Sequence, residues 1–168
     1  MVRAKQNGAV SLRDLPPVAR SMAAASAAVT AALAADPDEL RTAAADLAAF
    51  DPSLTGPLLG DVLRMLLEES HPDGLDADDL RSVLETTTKA ALAWLPEADP
   101  EVLLVILAGA LGVHPEEADG IARPPARAVA LHAPLLIAGL LPVTRRGLEF
   151  YLEAAFREMA RSQTMEAP

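Results

Sequence analysis

Glu68 and His71 stand three residues apart, a spacing that puts both on one face of a helix. Glu-x-x-His is half of the ligand set with which helical bundles hold a di-iron centre. That chemistry takes two such pairs and two further glutamates from facing helices. The remaining histidines, His114 and His132, have Leu111 and Val129 at the matching place, so there is no second pair. Just beyond, Asp73, Asp76, Asp78 and Asp79 crowd into "HPDGLDADDL". An EF-hand calcium loop needs Gly sixth and Glu twelfth. Counted from Asp73 those places hold Asp78 and Leu84, and counted from Asp76 they hold Arg81 and Thr87. The spacing rejects calcium and leaves the aspartates as helix caps. No metal and no cofactor is expected.

His132 is the best lone candidate for a ligand contact. It lies in an apolar stretch two residues before Pro134. A proline inside a helix frees the carbonyl four residues back, here Ala130, and kinks the axis, so a titratable ring there could face a pocket. No carboxylate stands beside it in sequence. Gly-rich phosphate loops, a G-x-S-x-G elbow and H-E-x-x-H are absent. The chain has no cysteine, which removes disulfides, thiolate metal sites and cysteine nucleophiles. An enzyme would have to work without a recognisable motif, and more plausible readings rank above it.

The clearest surface signal is near the C-terminus. At one hundred degrees per residue, Phe150 falls within about forty degrees of Arg146, Arg157 and Arg161. The stripe of Leu148, Leu152, Ala155, Phe156 and Met159 turns the other way. An aromatic ring among arginines is the composition of an interface centre.

These residues need helices to position them. Half of the 168 residues are hydrophobic, alanine is abundant and only five are aromatic. Alanine has the highest helix propensity, and alternating β-branched runs are missing. The expected fold is all-α, with about seven helices in antiparallel pairs, forming either a compact helical bundle or a short HEAT-like array. A loose arm at 1–15, one helical domain at 16–162 and a disordered tail at 163–168 complete the organisation. The run "MAAASAAVTAALAA" reads as an alanine-rich helix, not a secretory signal, because Val29 and Leu33 are its only large aliphatics. "VLLVILAGALGV" (102–113) is wholly apolar and is expected at the centre, with Ala108 and Gly112 admitting a close neighbour. It is too short for a membrane span, and the longer stretch 124–142 is interrupted by Arg127, His132 and Pro134. "LPVTRR" precedes a last helix at about 144–162.

The opening phrase recurs. Asp73-Gly74-Leu75 aligns with Asp119-Gly120-Ile121 at an offset of 46, and Leu95-Pro96 then meets Leu141-Pro142. The repeated unit reads as cap, helix, Leu-Pro, helix, within the length range of helical repeats. Charge is uneven: residues 1–35 carry +3, residues 36–120 carry −15 and residues 121–168 carry +2. The acidic middle repels phosphate backbones, so nucleic acid is not an expected partner, and neither is a membrane. The expectation is a cytoplasmic, non-catalytic interaction module. It would bind a protein or itself, as a homodimer, through 144–162 and the acidic face around 68–85. The alternative is a binder of a small apolar ligand, with a pocket between helices 102–113 and 125–141 anchored by His132.

Overall fold

A computed structural model describes residues 16–114 and 120–165, so the expected arm at 1–15 lies outside the described residues. The described chain is all-α, with seven α-helices and no strand. They are α1 (Pro17–Leu33), α2 (Pro37–Ala48), α3 (Pro52–Ser70), α4 (Ala77–Leu92), α5 (Pro100–Ala110), α6 (Ala126–Leu140) and α7 (Leu148–Met165). A 3₁₀ turn, Leu141–Val143, follows α6. The last helix continues to Met165, three residues past the expected end.

Local chemistry starts these helices. Asp-Pro opens α2, α3 and α5. Asp36, Asp51 and Asp99 accept the backbone N–H of Glu39, Ser53 and Glu101 at 3.0, 2.9 and 2.9 Å. The proline sits in the first turn, where its missing N–H costs nothing. α3 begins at Pro52 and carries Pro57 inside it. Asp76 starts α4 with a reciprocal cap. It accepts from Asp78 and Asp79 N–H, both at 2.8 Å, and the Asp79 carboxylate accepts the Asp76 N–H at 3.1 Å. Asp76 and Asp79 of "HPDGLDADDL" therefore spend oxygens on backbone donors, and Asp78 pairs with Arg81. Gly74 and Gly120 both hold positive φ, at 104° and 69°, so the recurrent phrase uses its glycine alike each time.

The helices close around α6. It packs against α1, α2, α3, α4 and α5 and buries Ala130, His132, Ala133, Pro134, Leu135, Leu136, Ile137 and Leu140. Alanines let α1 and α2 approach closely, with Ala25, Ala28, Ala32, Ala43 and Ala44 buried around Val29, Leu40 and Leu47. Consecutive helices pair at α1–α2 and α4–α5, but α7 packs chiefly on α3. The 46-residue unit does not propagate as a stack, and the fold is the compact bundle.

Two expectations about the apolar helices change. Only Leu103 and Leu107 are buried in α5, and Leu104 is 48% exposed, so α5 is an edge helix and α6 holds the centre. Gly112 does not admit a neighbour. It lies beyond the end of α5 with φ 78°, and the Val113 N–H reaches back to the Ala108 carbonyl at 3.0 Å. This is the C-terminal cap that a left-handed glycine permits. The segment Ala126–Val143 has the length and composition of a membrane span. Its packing against five helices accounts for that apolarity as core.

Candidate interaction site

The residues expected to form an interface start where α6 turns into α7. The Thr144 hydroxyl donates to the Leu141 carbonyl at 2.7 Å and closes the turn. The α7 stripe then buries Tyr151, Leu152 and Ala155, with Leu148 and Met159 packed partly against the core. Phe156, expected on that stripe, is only half-buried. Tyr151 takes the deep position.

That tyrosine joins two regions distant in sequence. Its hydroxyl donates to Glu69 Oε2 at 2.5 Å, and the Arg145 backbone N–H donates to Glu69 Oε1 at 3.2 Å. One carboxylate at the end of α3 thus holds both the entry to α7 and its first turn. The Tyr151 hydrogen bond holds the Glu69 carboxyl below its usual range, helped by the Arg145 N–H and by the Arg146 and Arg145 charges. Burial, then the bond to Glu69, pushes the Tyr151 phenol up. Both shifts favour an ionised carboxylate under a protonated phenol, which is a lock and not a proton shuttle.

Phe150 stands above this lock. Its ring meets Tyr151 edge-on, with centroids 5.3 Å apart, and the Arg146 guanidinium lies 4.1 Å from its centroid. Phe150 remains 40% exposed and Val143, at the turn, 70% exposed. The other expected interface arginines are engaged differently. Arg157 bonds to Glu153 and Arg161 to Glu158 on the same helix, each at 3.1 Å. The structure therefore joins Arg146 and Phe150 in one stack and sets Arg157 and Arg161 in separate surface pairs. Exposed pairs of this kind contribute little to stability.

His132 is placed differently from its expected role. It is 4% exposed. Its Nε2 accepts the Asp99 backbone N–H at 2.9 Å, and its Nδ1 donates to the Ala128 carbonyl at 2.8 Å. Both ring nitrogens are spent on backbone, so the residue ties α6 to the start of α5 and offers no free polar atom to a ligand. His71 Nδ1 bonds to the Leu67 carbonyl at 2.9 Å, and Glu68 faces Arg64 at 3.4 Å. Neither histidine is joined to a serine or threonine hydroxyl, so no nucleophile–base pair forms at either.

The apolar cavity also lies elsewhere. A groove of about 570 Å³ runs between α4, α6 and the end of α1, and His132 is not among the residues that line it. Val83, Thr87, Trp94, Leu135, Gly139 and His71 are among the residues that line it. Its wall holds no Asp, Glu, Lys or Arg.

Sequence reasoning missed Glu69 and Tyr151. Tyr151 was detectable, because Leu148, Tyr151, Leu152, Ala155 and Met159 follow one helical stripe. Glu69 carried no such signal, since its partners are 76 and 82 residues away. Comparison with known protein families, with curated proteins and with solved structures gives no match to this chain.

Proposed function

We propose that the chain is a non-catalytic protein-interaction module, and we place it in a reducing cytoplasm, which its lack of cysteine permits. The supporting observation is the Arg146–Phe150 stack, half-exposed and anchored from beneath by Tyr151 and Glu69. An aromatic ring held rigid before a partner arrives loses little entropy on binding. Glu69, within the acidic stretch around residues 68–85, is the carboxylate beneath the stack, which supports reading that end of α3 together with α7. Its partner is a protein or a second copy of the chain. Light scattering on a sizing column, over a range of concentrations, tests self-association. Phe150→Ala is expected to lower the association while leaving the helical circular dichroism unchanged. An equally associated, equally helical variant refutes the role of this corner in self-association.

A second reading has its own support. The groove between α4 and α6 has the size of a small-molecule site and a mostly apolar wall without Asp, Glu, Lys or Arg, which suits an apolar ligand. Fatty acids and uncharged hydrophobic compounds are expected to raise the melting temperature, because a ligand selective for the folded state stabilises it. Ala90→Trp, which narrows the groove, should abolish the rise. A flat response across the panel discards this reading.

A further inference from the structure

A second groove, of about 700 Å³, opens between α1 and α7, which touch only lightly. Its floor is apolar: Met22, Ala27 and Ala31 from α1 and Leu152 from α7. Its other chemistry has one sign. Asp36, Glu39, Glu149 and Glu153 line it, and among the described residues no lysine or arginine does. Arg157 compensates Glu153 at 3.1 Å. Asp36 accepts the Glu39 backbone N–H as it caps α2. Among the described residues, no basic side chain is bonded to Glu39 or Glu149.

We infer that the α1–α7 groove docks a basic amphipathic helix of a partner protein. Along α1 the lining residues run from Met22 to Ala34, which is about 18 Å or three helical turns. The small side chains at Ala23, Ser26 and Ala27 allow a helix backbone to come close. A docked helix would lay apolar residues at i, i+3, i+4 and i+7 spacing on the floor. Its flanking lysines or arginines would meet the carboxylates on either side. A second copy is disfavoured as the occupant, because a chain of net charge −10 is repelled from an acid-rimmed groove. This face is separate from the Phe150 stack, so Phe150→Ala leaves it intact and the two assignments can fail independently.

The test is fluorescence anisotropy of a labelled amphipathic lysine–leucine peptide of about 14 residues, titrated with the full chain. A scrambled peptide of the same composition serves as control. The amphipathic peptide should bind at least about tenfold tighter than the scrambled one, with affinity falling as salt is raised. Ala27→Arg is a change at an exposed position and should fold normally by circular dichroism. It should weaken binding about tenfold, as should Glu39→Lys with Glu149→Lys. A glutamate–leucine peptide should prefer that double variant to the native chain. Equal binding of both peptides, or of native and variant chains, overturns the assignment. So does a tenfold gain on changing Arg3, Lys5 and Arg13 to glutamate, which would make the chain's own N-terminal segment the occupant. A concentration-dependent dimer that the peptide splits would assign the groove to a second copy and equally overturn it.

Discussion

Helices α5 and α6 are both rich in leucine and alanine, yet they have opposite fates. α6 buries eight residues and touches five other helices. α5, the more uniformly apolar of the two, buries only Leu103 and Leu107. Apolarity on every side makes a helix fit for the centre but does not send it there. The centre goes to the helix whose neighbours can surround it. α6 follows five helices in the chain and is enclosed by them. α5 is held at its start by His132 and by the loop before it, where Arg41 clasps Glu97 at 2.6 and 3.0 Å.

Substitutions can break this contrast. Leu136→Ala, at a fully buried site on α6, should cost about 2–5 kcal/mol in chemical denaturation, from lost burial and the cavity left behind. His132→Ala comes next. It strands the Asp99 N–H at the start of α5 and should cost about 1–3 kcal/mol. The same variant should leave any effect of apolar compounds on the melting temperature unchanged, because His132 lies outside the α4–α6 groove. A loss of that response would return His132 to a ligand-binding role.

Acid should loosen the clasp at α5. Glu97 is held below its usual range chiefly by its hydrogen bond to Arg41, as Glu69 is by Tyr151 and Asp76 by the Asp79 N–H. For each, the unfolded chain takes up protons at a higher pH than the folded one. Their stabilisation is complete above about pH 5 and is lost progressively as pH falls through about 4 and below. Arg41→Ala should therefore make the acid limb of a melting-temperature profile shallower. An unchanged slope would mean that the clasp does not stabilise the fold. The smallest effect is expected on the outer face of α5, where Leu104→Ala should change stability by no more than about 0.5 kcal/mol. A larger loss would show that this face is covered in solution.

The locally encoded features were readable directly. The Asp-Pro starts, the reciprocal cap at Asp76 and Asp79 and the helical character of the alanine-rich run follow from residues within one turn of each other. The surface position of Phe150 beside Arg146 is of the same kind, because a four-residue spacing on a helix fixes it. The backbone contacts of His132 were not readable, for the opposite reason. Its neighbours in sequence suggested a kinked helix facing a pocket, and its partner is a backbone N–H 33 residues away.

By itself, then, the sequence determined where helices begin and end and which face of each is apolar, because caps, prolines and helical periodicity act over four residues or fewer. Tertiary structure alone decided that α6 is central and α5 peripheral, that Glu69 meets Tyr151 and that α1 and α7 part to leave an acid-lined groove. Those outcomes depend on which apolar faces find each other. Many alanine- and leucine-rich faces are interchangeable by composition, and only their packing together distinguishes them.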